Sequence, residues 1–198
     1  MSVAKLNLSI IQGATFDKTI NWYGGGKVCK AIENVTSGCP TLITITGHGL
    51  PTVSDTPVFI DHVKGAKSLN TKGKATAATY VDVDSFYVDK DTYEETWEVG
   101  TGHVTWYAPR DLTGWTARMQ IRPSVASDTI ILSLTSPDDI TITTNDAGIQ
   151  IVIAASVTET LDFDSAVYDL ELENPAVSPP YVHRLVEGDV TLLKEVTR

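Results

Sequence analysis

The sequence predicts an all-β protein, a β-sandwich interrupted by a smaller β domain. Three observations lead there. Thr, Val and Ile make up 61 of 198 residues; side chains branched at Cβ lose χ1 freedom in a helix but pack well on a pleated surface. No stretch keeps an i, i+3, i+4, i+7 apolar pattern beyond two turns, whereas apolar–polar alternation recurs throughout. Turn-forming Gly, Pro, Asn and Asp punctuate the chain roughly every 8 to 14 residues, the rhythm of a sandwich.

Residues 4–12 form the first predicted strand, with Leu6, Leu8 and Ile10 alternating against Lys5, Asn7 and Ser9. After the break at Gly13-Ala14, residues 15–23 form a second, with Phe16, Lys18, Ile20 and Trp22 on one face. Gly24-Gly25-Gly26 ends it, since three glycines make a turn and not a strand interior. From Cys29 to about Thr105 the character changes. Short strands are legible at residues 41–46, 57–62, 76–82, 85–89 and 102–107. Charge is segregated there: Lys64, Lys67, Lys72 and Lys74 fall within eleven residues that hold no acid, and seven acids follow between Asp82 and Glu98.

From Ala108 the first character returns. Asp111-Leu112-Thr113-Gly114 is a turn, and residues 115–122 alternate Trp115, Ala117, Met119 and Ile121 against polar side chains. Residues 129–134, 140–144 and 148–154 are further strands, the last two joined by the hairpin signal Thr144-Asn145-Asp146-Ala147-Gly148. Residues 157–163 fit one helical turn. Residues 167–173 and 181–193 complete the set, parted by a Pro-rich turn at 174–180.

Two N-terminal strands cannot fold alone, because an isolated hairpin is marginal in water. They are expected to pair with strands beyond residue 108. The predicted organisation is therefore a discontinuous sandwich, residues 1–28 and 105–198, with residues 29–104 as an inserted small β-barrel-like domain at a hairpin tip. Asp164-Ser165-Ala166-Val167-Tyr168-Asp169-Leu170 fits Asp-x-Ala-x-Tyr-x-apolar, the tyrosine corner of immunoglobulin-like sandwiches. That pattern predicts a Tyr168 hydroxyl bonded back to backbone across the corner, Leu170 in the inter-sheet core and Trp115 as the core tryptophan.

Composition and motifs argue against catalysis. A net charge of −10 and a pI near 4.7 disfavour binding to nucleic-acid phosphates, which Lys and Arg must neutralise. No apolar run approaches the ~20 residues of a membrane span, and no secretory leader pattern opens the chain. Cys29 and Cys39 are read as two free thiols. His48, His62, His103 and His183 lack metal-ligand spacing, and no nucleophile elbow, phosphate loop or dinucleotide fingerprint occurs. The pairs Asp82/Asp84, Asp89/Asp91, Asp138/Asp139 and Asp162/Asp164 sit beside turns, where Asp caps backbone groups. The expectation is no enzyme activity, no cofactor and no metal. The lysines at 64, 67, 72 and 74 are the candidate contact to an acidic partner.

Two resemblances add to this. Gln12-Gly13-Ala14-Thr15-Phe16, Trp22 and the run Arg110 to Arg122, with its Asp-Leu-Thr-Gly-Trp segment, resemble a family of tailed-phage virion proteins. Ile140, Gly148-Ile149, Thr158, Tyr168-Asp169-Leu170-Glu171-Leu172 and Arg184-Leu185-Val186-Glu187-Gly188-Asp189-Val190 follow its later landmarks. That family is similar to the N-terminal immunoglobulin-like domain of phage upper baseplate proteins, which dock a receptor-binding device onto the tail. The inserted segment resembles a small β module of phage tail proteins, carried by His48-Gly49-Leu50, Val58-Phe59-Ile60, Gly65, Leu69-Asn70, Asp84-Ser85-Phe86-Tyr87-Val88 and Gly100-Thr101-Gly102. That module is named for its similarity to the first catalytic-cysteine half-domain of ubiquitin-activating enzymes, and it brings no catalytic residues. Here Pro51 to Thr56 follow His-Gly-Leu without the customary glycine.

The resemblance implies a structural tail or baseplate protein: an adaptor or fibre-attachment component in several symmetric copies, assembled in the host cytoplasm. Its partners would be other tail, baseplate or fibre proteins. The alternatives are a host-surface glycan binder, with Trp97, Trp106 and Tyr107 as the candidate aromatics, and a head decoration or head–tail joining protein. Charge divides unevenly, +2 over residues 1–28, −4 over 29–104 and −8 over 105–198. Contacts that join the lysine loop to an acidic surface are then expected to weaken with salt.

Overall fold

The computed structural model describes residues 3–52, 55–144 and 146–195. Val53 and Ser54 of the turn after Leu50, and Asn145 of the hairpin signal, lie outside the described residues. The chain divides into two compact units, Met1–Asn21 with Leu112–Arg198, and Trp22–Asp111.

In chain order the strands begin with β1 (Ala4–Lys5), β2 (Leu8–Ile11) and β3 (Phe16–Asn21). The interrupting unit holds β4 (Lys27–Ala31), β5 (Asn34–Thr36), β6 (Thr41–Thr44), β7 (Thr56–Asp61), β8 (Thr76–Asp82), β9 (Ser85–Val88) and β10 (His103–Tyr107). The first unit resumes with β11 (Thr116–Arg122), β12 (Leu132–Thr135), β13 (Ile140–Thr143) and β14 (Gly148–Ile153). A helical turn, α1 (Ala155–Thr158), leads to β15 (Ser165–Asn174) and β16 (Tyr181–Leu193). The protein is all-β.

The first unit is a sandwich. Its larger sheet runs β12-β11-β15-β16, with β1 and β2 both added to β16 in parallel; the smaller sheet is β13-β14-β3. Period-2 alternation buries one face of each strand. On β15, Ala166, Tyr168, Leu170 and Leu172 point inward while Asp169 and Glu171 point out; on β14, Ile149, Ile151 and Ile153 are buried. The expected first strand is two short ones, broken at Leu6-Asn7. The two N-terminal strands do pair with strands beyond residue 108, in different sheets: β1 and β2 with β16, β3 with β14.

That placement corrects the expectation of an insertion at a hairpin tip. β3 and β11 belong to different sheets, so the second unit interrupts a sheet-to-sheet crossing. The boundaries also move. Lys27 and Val28 pair with Tyr107 and Trp106, which places residues 22–28 and 105–111 with the interrupting unit.

The second unit is one sheet in the order β4-β10-β7-β8-β9-β6-β5. Its two edge strands, β4 and β5, are joined by only Ile32 and Glu33. Seven flat strands would span about 29 Å at ~4.8 Å spacing, while the step from Ala31 to Asn34 reaches about 11 Å. The sheet must therefore curl. Ile43, Val58, Ile60, Phe86, Val104 and Trp106 fill the inside of the curl.

Candidate functional site

Chemistry-bearing side chains gather on the outer face of the larger sandwich sheet. β11, β15 and β16 each place charged residues there: Arg118 and Arg122, Asp169 and Glu171, Arg184 and Glu187. Pairing of β15 with β16 slips between Leu170 and Glu171, leaving Leu185 as an extra, buried residue. Such a bulge bends a strand and re-aims its side chains. Together with sheet twist it leaves an open groove of about 720 Å³, to which Lys5, Asn7 and Asp189 add polar groups.

The groove is ion-paired. Arg118 donates from Nε and Nη2 to Glu171 Oε2 at 2.9 and 2.7 Å. Arg184 reaches Asp169, Glu171 and Glu187 at 3.2, 3.7 and 3.6 Å. Asp169 and Glu187 stand directly opposite in the β15–β16 ladder, where like charges repel, so Arg184 is the cation that makes that register tolerable. Hydrogen bonding to Glu171 pushes the Arg118 guanidinium further above its ordinary value. Arg122 spends its guanidinium on Gln120 Oε1 and the Ser127 carbonyl.

Lys64, Lys67, Lys72 and Lys74 are all exposed on the loop between β7 and β8. Asn70 anchors that loop by bonding to both the N–H and the carbonyl of Val63, and Thr71 Oγ1 accepts the Ile60 N–H. At Gly65 (φ +76°) a Cβ would run into the Thr96 carbonyl, so the loop lies tightly on the acidic segment. Glu95 accepts the Ser68 N–H and hydroxyl, and Glu98 sits 3.8 Å from Lys64. The two charge blocks of the sequence are thus neighbours within one unit. Lys67, Lys72 and Lys74 make no ion pair among the described residues.

Trp115 is buried at the start of β11, edge-on to Tyr181 with ring centroids 6.0 Å apart, and Tyr181 stacks on His183. Leu170 is fully buried opposite Met119. The Tyr168 hydroxyl donates to the Leu6 carbonyl at 2.8 Å. This corrects the expected local corner: the acceptor is near the N-terminus, on the segment between β1 and β2. Burial pushes the Tyr168 hydroxyl up to about 12.

Other candidate side chains are absorbed structurally. Trp106 lies in the curled core, and Trp97, packed against it, donates to the Thr101 carbonyl. Buried His48 accepts the Leu50 N–H at Nδ1 and meets the Asp82 carbonyl through Nε2, which fixes the Nε2–H tautomer. Asp82 and Asp91 cap the N–H groups of Asp84 and Tyr93, and Asp162 and Asp164 hold Lys194. Hydrogen bonds from Ser85 and the Asp84 N–H hold the Asp82 carboxyl below its ordinary value. Cys29 and Cys39 are free and exposed. Among the described residues, no cluster of three His, Cys, Asp or Glu could hold a metal, and no helix is long and apolar enough to cross a membrane.

The groove was not singled out in the sequence, although its signal is there as polar and charged residues alternating with apolar ones along Arg118–Arg122 and Tyr168–Glu173. No protein-family model matches the chain, and no curated protein matches it.

Proposed function

We propose that the chain is a non-enzymatic structural component of a tailed-phage virion, a tail or baseplate adaptor or fibre-attachment protein present in several copies. The observation that carries the non-catalytic part is the groove: Arg118 and Arg184 are paired with Glu171, Asp169 and Glu187, so these groups stabilise a sheet face. A reactive site would instead aim unpaired groups at a common point. The immunoglobulin-like reading is supported by the strand order. A β12-β11-β15-β16 sheet carries the N-terminal strands on β16 and faces β13-β14-β3, with a helical turn before β15.

Docking to other tail proteins draws support from the exposed lysines at 67, 72 and 74 on an anchored loop. The glycan reading draws less, because Trp97 and Trp106 are engaged in packing. The decisive experiment is mass spectrometry of purified virions with cryo-imaging of labelled chain. Detection in tails is expected; absence from them overturns the proposal.

A further inference from the structure

The smaller sandwich sheet ends on an uncovered strand. Because β1 and β2 both pair with β16, the N-terminal segment covers the edge of the larger sheet and leaves β3 paired, among the described residues, on one side only, with β14. Val152 donates its N–H to the Asp139 carbonyl, so its backbone faces the β13 side. Ile149, Ile151 and Ile153 then face β3, and their partners Ile20, Lys18 and Phe16 face back. The N–H and C=O groups of Asp17, Thr19 and Asn21 point away from the sheet. Asp17 and Thr19 are exposed, so these groups are within reach of another chain.

At the other flank of the sandwich the terminal strands are β12 and β13. The Thr135 N–H of β12 donates to the Asp139 carboxylate, and the Thr135 carbonyl accepts the Asp139 N–H. Ile140 of β13 is fully buried. On β3, Lys18 lies between the half-buried Phe16 and Ile20 on one face, exposed and in no ion pair among the described residues.

We propose that the β3 edge is an acceptor site for an extended segment of a partner protein that carries an acidic side chain between two apolar ones. An antiparallel strand bonded to Asp17 and Thr19 sets its residue opposite Lys18 in the non-hydrogen-bonded position. Cα atoms there approach to ~4.5 Å and side chains lie closest. A carboxylate at that place neutralises Lys18. Apolar residues two positions to either side cover Phe16 and Ile20, and main-chain bonds supply the rest of the affinity.

A second copy of this chain fits poorly. Symmetric pairing about Asp17 or about Lys18 sets like charges opposite each other, and pairing about Thr19 sets Lys18 against Ile20. The inference deepens the docking role and rests on it for its setting, but its test is separate.

The probe is a capped heptapeptide of threonines with isoleucine, glutamate and isoleucine at its second, fourth and sixth positions. Its binding to the full chain is followed by fluorescence anisotropy. The same peptide with lysine at position four is expected to bind about fivefold more weakly or worse. Lys18→Glu should invert that preference. Thr19→Pro should abolish binding at unchanged Tm, because the Thr19 N–H faces outward and proline is tolerated on such edges. Absence of binding, equal binding of both peptides, or unimpaired binding by Thr19→Pro overturns the proposal. So does a dimer of the chain that Thr19→Pro dissolves, since the occupant is then a second copy. Peptide binding by a chain absent from virions would retire the tail assignment and leave the acceptor edge standing.

Discussion

Tyr168 and Leu6 are joined over the top of a third strand. Tyr168 on β15 lies opposite Gly188 on β16, and its hydroxyl passes that residue to reach the Leu6 carbonyl, 2.8 Å away. Glycine is what lets it pass: a Cβ at position 188 would run into the same carbonyl oxygen. One hydroxyl thus ties β15 to the break between β1 and β2.

Tyr168→Phe is expected to lower stability by about 1–2 kcal/mol, the cost of leaving a half-buried carbonyl without its donor. Amides of β1 and β2 should exchange faster in the variant, as read by hydrogen exchange. The pH dependence has a definite sign. The hydroxyl's value is raised in the folded state to about 12 from 10.0, so its contribution is complete below pH 10 and is lost as pH rises through 12. Wild type should therefore lose stability across pH 10–12 more steeply than Tyr168→Phe; parallel alkaline limbs would contradict this.

Gly188→Ala should cost more, about 1–3 kcal/mol, because the added methyl displaces the backbone at Leu6. Gly26→Ala is the control, since a Cβ there meets nothing within 4 Å. Urea midpoints of the two variants separate the effects.

Arg184→Met leaves Asp169 and Glu187 face to face. The expected loss is about 0.5–1 kcal/mol at low ionic strength, small because the guanidinium is half exposed. The loss should shrink in 0.5 M salt, on the order of a 4–5 Å Debye length. A Tm difference independent of salt would assign the effect to lost packing.

Replacing Lys67, Lys72 and Lys74 together by alanine should change the unfolding free energy by no more than the ~0.5 kcal/mol of ordinary surface changes. If the loop docks on an acidic partner, incorporation into tails falls and its salt sensitivity diminishes. Unchanged incorporation would remove the loop from the contact.

Strands bracketed by turn residues were legible to the residue: β8, between Gly73 and Asp84, and β16, after Pro179-Pro180, begin and end where the sequence placed them. β4 and β5 were missed because Lys27–Ala31 and Asn34–Thr36 carry one inward apolar residue each, Val28 and Val35, with polar neighbours. Their strand state comes from β10 and β6 alongside, which is tertiary information. The Tyr168 acceptor was misplaced for a similar reason. Nothing near residue 168 encodes Leu6; the contact exists because β1 and β2 arrive on β16. Lys18 illustrates the converse. The sequence puts it on one face with Phe16 and Ile20, and at a sheet edge a lysine on that face stays in water.

Parallel addition of β1 and β2 to β16 also orders events in time. Ala4 pairs with Val186 and Leu8 with Val190, so β1 and β2 wait for β16 to be made. Among the described residues, the strand pairings of 22–111 close among themselves and are complete long before β16 emerges from a ribosome. Contacts of such sequence separation slow folding, because loop closure must precede the bonds that reward it. The interrupting unit is therefore expected to fold first during synthesis. The sandwich, with its outermost strands unpaired until the end, is the stage at which premature release or a missing C-terminal strand leaves sticky edges exposed.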